Sequence, residues 1–350
     1  MSDDIQRRKD RHVDIVLQQD VVGHGPAVGL GHFTLEYDAL PEIDLVDVDL
    51  STTVFGKRLS APLIIGAMTG GTDRTGQINR TLAIAAERTG VGMALGSQRP
   101  MLVDPSLTST YAVREAAPGL PLLLGNLGAV QLNYGVKADD VRRLVRDVGA
   151  DAINLHLNAL QEAIQPEGDT RFSGLVDTIR QLVPQIGVPV VLKEVGAGIS
   201  ARAAHKLAQL PIAGVEVAGT GGTSWAAVES WRAGADAKRQ HTGQALAGFG
   251  VPTSASLRIA RHHLGDKVLI ASGGLRSGMD LAVALAMGAD AVALAKPLLE
   301  AAVLGVDETV AAIEALIFEL RVIAFCCGAS DLDALRRVRV IDLRAGWPLV

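Results

Sequence analysis

The stretch Asn154-Leu155-His156-Leu157-Asn158-Ala159-Leu160-Gln161-Glu162 gathers amides, an imidazole and a carboxylate in one short segment. Along an extended chain, alternation places Asn154, His156 and Asn158 on one face. Glu162 is a single carboxylate among amides. That is too little for an all-protein metal cage, but it suits a Mg²⁺ ion that arrives with phosphate oxygens and water. No second His or Cys stands at a zinc spacing. The plain alternative is a solvated loop carboxylate. Further on, Val191-Leu192-Lys193-Glu194 ends an apolar run with a cation. A buried, unpaired Lys is costly, so Lys193 either faces a group that gains negative charge or pairs with Glu194 or another carboxylate.

Two glycine-rich segments follow apolar runs, Gly219-Thr220-Gly221-Gly222-Thr223 and Gly273-Gly274-Leu275-Arg276-Ser277-Gly278. In the second, Ser277 can cap the next helix while Gly273 and Gly274 admit a ligand close to backbone N–H groups, as an anion at a helix N-terminus requires. A tight turn without ligand is the alternative. A second such segment, and Ala295-Lys296 after the next apolar run, favour the anion site. The run Arg7-Arg8-Lys9-Asp10-Arg11-His12 by itself reads as a solvated or disordered terminus. Gly96-Ser97-Gln98-Arg99 changes that reading, because Arg99 and an arm bearing Arg8 and Lys9 can grip a diphosphate from two sides.

The elements that must position these residues repeat in a simple order. β-rich runs at 62–67, 91–95, 121–125, 151–157, 189–194, 214–218, 267–272 and 291–295 alternate with helical periodicity at 76–88, 138–148, 173–183, 201–210, 254–263, 278–286 and 308–325. Val148-Gly149-Ala150-Asp151 and Met287-Gly288-Ala289-Asp290 each end a helix at Gly and enter a strand. Eight parallel units predict an α/β fold, a TIM (β/α)8 barrel, whose chemistry sits on the loops after the strands. An open doubly wound sheet is the runner-up. Residues 1–60 are expected to be an arm and extension packed on a single barrel domain, 61–350.

Composition narrows the classes. A chain of 350 residues with 48% apolar and 20% charged residues has a full-sized core and is not disordered. Its formal charge of -5 provides no field for a nucleic acid backbone. Cys326 and Cys327 are adjacent, which excludes a disulfide framework and suits a reducing, cytoplasmic setting. The N-terminal charges precede no apolar h-region, and the uncharged stretch 116–136 is broken by Pro118, Gly119 and Pro121, so neither a secretory signal nor a membrane span is expected.

Arg8-Lys9 with His12, Ala67-Met68-Thr69-Gly70-Gly71, Gly96-Ser97-Gln98-Arg99, His156-Leu157-Asn158 with Gln161-Glu162, Lys193-Glu194-Val195-Gly196 and both glycine segments, in this order, resemble the type 2 isopentenyl diphosphate isomerases. Single glycine motifs recur across FMN-binding barrels. The arm, the Ser-Gln-Arg turn and the His-x-Asn-x-x-Gln-Glu segment are specific to that family. The resemblance implies FMN, reduction by NADPH, Mg²⁺, and interconversion of isopentenyl and dimethylallyl diphosphate. It implies that Ala67, Met68, Thr69, Ser97, Asn126, Lys193, Thr223, Gly273, Gly274, Arg276, Ala295 and Lys296 hold the flavin. Arg8, Lys9, Ser97, Gln98, Arg99, His156, Asn158 and Gln161 would contact the substrate, and Glu162 the Mg²⁺.

Moving a double bond by one carbon adds one proton and removes another, with no net redox change. Protonating an alkene creates carbocation character, which calls for a dry, electron-rich site. The resemblance makes the reduced flavin both acid and base, with Gln161, His156 and Asn158 positioning substrate; Trp225 and Glu229 wall the site, relay protons or simply pack. Ala-rich terminal helices suit a homo-oligomer, tetramer or octamer. An FMN-dependent hydroxy-acid oxidase would need a His and Arg pair near the seventh strand, and an inosinate dehydrogenase a loop Cys nucleophile. A catalytically silent flavin or prenyl-diphosphate binding protein is the alternative outside enzymology.

Overall fold

The computed structural model describes residues 2–23, 28–232 and 236–346. In chain order its strands are β1 (Phe33–Leu35), β2 (Thr52–Val54), β3 (Lys57–Leu59), β4 (Leu63–Ile65), β5 (Gly92–Ala94), β6 (Leu123–Gly128), β7 (Ala152–Leu157), β8 (Val190–Glu194), β9 (Gly214–Glu216), β10 (Val268–Ala271), β11 (Ala291–Leu294) and β12 (Val340–Asp342). Strands β4 to β11 close in the order β10-β11-β4-β5-β6-β7-β8-β9, each paired in parallel with its neighbours. All eight expected strands are the barrel strands, so the TIM barrel stands and the open sheet is set aside.

The helices are α1 (Ser2–Gln18), α2 (Asp73–Thr89), α3 (Arg99–Val103), α4 (Ala138–Val148), α5 (Ala159–Ile164), α6 (Leu175–Leu182), α7 (Ala201–Ala208), α8 (Trp225–Trp231), α9 (Ala237–Ala245), α10 (Thr253–Leu264), α11 (Gly278–Ala286), α12 (Lys296–Leu304), α13 (Val306–Cys326) and α14 (Leu332–Arg337). Helix α4 shows the local logic. Val141, Leu144, Val145 and Val148 fall on one face and are buried, and Gly149 takes the left-handed conformation that ends it. Helix α11 begins with the Ser277 cap expected from sequence, reciprocated by Asp280. The repeated Gly-Ala-Asp phrase has a shared task. Asp151 accepts the N–H of Leu123 at 2.9 Å, and Asp290 that of Leu269 at 2.8 Å, so each carboxylate ties its own strand's entrance to the preceding strand.

Alternation sorts the core into two parts. One lies between strands and helices; the other fills the barrel lumen with Ile64, Ala94, Leu122, Leu124, Ala152, Val191, Ile270, Ala291 and Ala293. Val54, Phe55 and Leu59 of the β2–β3 hairpin join the lumen cluster and close it from below. Its tight turn places both Phe55 and Gly56 at positive φ. Strand β1 pairs with β12 and so fastens the beginning of the chain to its end. With the lower end plugged, the ends of the strands toward their C-termini are left for chemistry.

The N-terminal run differs from the solvated or disordered terminus suggested by its charges alone. It is a helix, α1, with Val13, Ile15 and Val16 buried and Lys9 and His12 buried with them. Four contacts lash it down: Thr72 Oγ1 donates to Asp10 at 2.7 Å, Arg74 pairs with Asp14 at 2.7 Å, Arg8 pairs with Glu167 at 3.1 Å, and His12 approaches Glu229 at 3.2 Å. A charge run misleads here because its partners come from α2, α8 and a loop, none of them near in sequence.

Candidate active site

The barrel mouth and α1 enclose a cavity with about 1270 Å³ of unfilled space including its open side, more than one small ligand needs. Every residue expected in the site lines it except Gln98 and Thr69. Gln98 is a correction. Its Oε1 accepts the N–H of Asn126 at 2.8 Å and its Nε2 donates to the carbonyl of Leu144 at 3.1 Å, so this fully buried amide braces the loop after β5 instead of meeting a ligand. Thr69 lines a smaller, adjoining pocket under α1, with its hydroxyl buried and unpartnered.

The floor of the cavity is polar on two sides. Lys193 of β8 stands in register with Glu216 of β9, and its Nζ lies 2.5 Å from Glu216 Oε1. Ser272, after β10, donates to that same oxygen at 2.7 Å. Opposite, Asn126 Nδ2 donates to the carbonyl of Leu95 at 2.9 Å, which turns Asn126 Oδ1 toward His156 Nδ1 at 2.7 Å. Nδ1 therefore carries the imidazole proton, and Nε2 is left as an acceptor. Burial, reinforced by the cations Lys9 and Lys193, pushes His156 down to about 3, so it is neutral throughout the physiological range. Below it, Asn154 is fully buried with both side-chain polar atoms unpartnered.

The wall beside β9, β10 and β11 is mostly backbone. A Cβ on Gly222 would meet the nitrogen of Gly274 at 2.5 Å, and one on Gly273 the oxygen of Gly219 at 2.3 Å, so the two glycine loops interlock. Gly273 and Gly274 also take φ values of 101° and 84°. Among the described residues, no hydrogen bond engages the N–H groups of Gly273, Gly274 or Lys296. Free amides, the exposed Arg276 and the start of α12 form a cradle suited to a phosphate.

The remaining wall is made of charged side chains. Arg8 and Lys9 descend from α1, and Arg99 rises from the first turn of α3, after β5. Burial, with Arg8 next in effect, lowers Lys9 to about 7. Glu162 accepts Asn158 Nδ2 at 2.8 Å and the N–H of Asp169 at 2.7 Å. Burial raises its carboxyl above the usual range, against the pull of these donors. Gln161 Nε2 donates to Glu229 at 3.0 Å, and Glu229, fully buried, also lies 2.9 Å from Arg232. Arg232 forks onto Glu167. Glu229 is thus the anchor behind Gln161, whereas Trp225 lines the cavity itself and meets the His12 ring edge-on at 5.1 Å.

Sequence reasoning missed Glu216, Gln131, Glu167 and Asp169. Asp169 joins Arg99 at 2.7 Å and Gln131 at 2.9 Å while its N–H binds Glu162. One signal was present. Gly168 sits between the two carboxylates of Gln165-Pro166-Glu167-Gly168-Asp169, and a Cβ there would collide with the Glu162 carbonyl oxygen at 1.8 Å. Only glycine lets that loop fold back onto Glu162.

A barrel with a phosphate cradle, buried unpartnered polar groups and a cation near the end of its fifth strand suits a phosphate-bearing cofactor. The sequence model of the FMN-dependent dehydrogenase family matches residues 155–342. Among solved structures, a mandelate oxidase carrying a monooxide FMN adduct superposes with a TM-score of 0.64 at 20% identity, covering 90% of each chain. A lactate oxidase of Pediococcus acidilactici does so with 0.67 at 17% identity, covering 90% of this chain and 84% of that one. These likenesses show the barrel alone. The chain belongs to the isopentenyl-diphosphate delta-isomerase family. It is 46% identical to that enzyme of Stutzerimonas stutzeri over 97% of both chains. Identity to that of Mycolicibacterium vanbaalenii is 47% over 97% of both, and to that of Synechocystis sp. 43% over 99% of both. It is an enzyme, an isomerase with FMN as cofactor. No helix among the described residues is long and apolar enough to cross a membrane.

Proposed function

We propose that this chain interconverts isopentenyl and dimethylallyl diphosphate with reduced FMN beneath the substrate, Mg²⁺ on the diphosphate and NADPH as reductant. The carrying observation is the division of one cavity into a backbone cradle and a wall of three cations from two elements, Arg8 and Lys9 of α1 and Arg99 of α3, beside the carboxylate Glu162. A diphosphate needs such convergent positive charge. Among the described residues no group of three His, Cys, Asp or Glu could hold a metal alone, so Glu162 fits an ion whose other ligands are phosphate oxygens and water.

The interlocked glycines, Arg276, Ala295 and Lys296 hold the cofactor phosphate, and Ala67, Met68, Ser97, Asn126, Lys193 and Thr223 surround the ring. FMN, when reduced, supplies the electron-rich surface and the proton exchange that the alkene requires. The chain's own residues do the rest. Arg8, Lys9 and Arg99 bind the diphosphate. Neutral His156 offers Nε2 as an acceptor, and Asn158 with Gln161 fixes the hydrocarbon against the ring. Glu229 holds Gln161 by its amide N–H, leaving Gln161 Oε1 to Asn158 at 3.2 Å. Helix α1, with Trp225, shuts out the water that would quench a cationic transition state. The oxidase alternative finds no His in the loop after β10, where Arg276 is the one strong cation.

The test follows isopentenyl diphosphate by NMR in D₂O with FMN-loaded protein, Mg²⁺ and NADPH under anaerobic conditions. Deuterated dimethylallyl diphosphate formed without stoichiometric consumption of NADPH supports the proposal. Yellow protein without isomerisation refutes it and returns the silent binder. We also expect a homo-oligomer in the cytoplasm; light scattering that reports a monomer would contradict the assembly.

A further inference from the structure

Lys193 is the cation at the end of β8, yet it is not free to act as one. Its ammonium and the Glu216 carboxylate are both buried, with side chains 10% and 4% exposed, and they touch at 2.5 Å. Glu216 is also held by the Ser272 hydroxyl, just past the end of β10. All three line the cavity. Both polar contacts fall on Glu216 Oε1. The barrel therefore carries a buried ion pair on adjacent strands in the layer just above its apolar lumen.

Buried pairs of this kind are often no more stable than apolar replacements of the same volume. The position of this pair at the wall of the cavity points to another use. Charge near a flavin ring sets how readily it takes up electrons and whether it keeps its proton when reduced. An unopposed cation stabilises the deprotonated, anionic reduced ring, which helps a flavin that must accept hydride. A neutral pair withholds that stabilisation and favours the protonated reduced ring. A cofactor that must give a proton to an alkene and take one back is served by the second arrangement.

We propose that Glu216 is a tuning residue: by neutralising Lys193 it lowers the reduction potential of bound FMN and keeps the reduced ring protonated. This rests on the proposed placement of Lys193 at the flavin ring. Removing one buried charge a few ångströms from the ring shifts its electron affinity strongly, because little solvent screens the interaction.

The experiment compares FMN-loaded wild-type protein with Glu216→Gln, reading the reduction potential against anaerobic dyes and the pH dependence of the reduced flavin spectrum. In Glu216→Gln the potential should move positive by at least the equivalent of a tenfold change in the oxidised-to-reduced ratio, about 30 mV for a two-electron couple. The reduced ring should lose its proton at lower pH. Lys193→Gln, which leaves the carboxylate unopposed, should move the potential the other way, and it carries the test alone if Glu216→Gln does not retain FMN. An unchanged or negative shift in Glu216→Gln, or an unchanged or positive one in Lys193→Gln, overturns the proposal. Failure of the wild-type chain to bind FMN would instead overturn the cofactor placement beneath it, so the two failures are distinct. A structural role alone would weaken FMN retention without shifts of opposite sign.

Discussion

The two walls of the cavity solve anion binding by opposite means. On the side of β9 to β11 the ligand is met by backbone: interlocked glycines, free N–H groups and a helix start, with Arg276 as the strongest side-chain cation. On the side of α1, β5 and β7 it is met by charged and amide side chains, four of which already have a partner. Arg8 holds Glu167, Arg99 holds Asp169, Gln161 holds Glu229, and Glu162 holds Asn158. A backbone cradle has one geometry and cannot relax without moving the loops. A side-chain clamp can exchange partners, because a diphosphate can replace Glu167 and Asp169 as the counter-charge. The difference teaches where change should be all-or-none and where it should be graded.

The largest break is therefore expected in the cradle. Gly273→Ala places a Cβ at φ 101° and 2.3 Å from the Gly219 carbonyl oxygen, so both loops must shift. The protein should emerge colourless and stay so after reconstitution with excess FMN, read from its visible absorbance. Full retention of FMN would show that the cradle tolerates what its geometry forbids.

Next comes the clamp's metal ligand. Glu162→Gln keeps the shape and the Asn158 contact but removes the charge that Mg²⁺ needs. Turnover should fall by about 100-fold, with yellow colour intact, in the range that loss of metal-site groups produces. Equal activity, or loss of FMN with activity, would erase the division between the walls.

That division also explains what could be read from residues alone. The eight barrel strands, and α4 and α11 to the residue, follow from local periodicity, and the glycine cradle follows from local spacing. Helix α1 did not, because its buried face is covered by partners in α2, α8 and the loop after α5. Gln98 looked like a ligand contact for the same reason: nothing local reveals that its amide is consumed by Asn126 and Leu144. Glu216 lay unnoticed on its strand because its task exists only when β8 and β9 align Lys193 beside it.

Lys9 gives a smaller, pH-dependent effect. Burial has lowered it to about 7, so its charge is lost as pH rises through that value. The kcat/KM for the diphosphate substrate should fall on that limb, and Lys9→Gln should lower it by about tenfold while abolishing the limb. Stability runs the other way. Between about 7 and the unfolded value of 10.5 the unfolded chain binds the extra proton, so folding strengthens as pH rises across that window. A limb that persists in Lys9→Gln would assign the titration to another group.

The smallest effect tests partner exchange itself. Glu167 is half exposed and bridges Arg8 to Arg232. Burial works against its ionisation, yet the Arg232 fork and Arg8 hold its carboxyl down at about 2, so it stays charged at every working pH. It therefore competes with a bound diphosphate for Arg8. Because Glu167 is half exposed, solvent screens the pair and its contribution is below about 1 kcal/mol. Glu167→Gln should then tighten binding of inorganic diphosphate by roughly threefold, measured by calorimetry in Mg²⁺, and leave FMN affinity unchanged. Weaker binding would mean that Glu167 aims Arg8 instead of competing for it. The charged wall would then be as preset as the backbone one, and the contrast between the two would lie in chemistry alone.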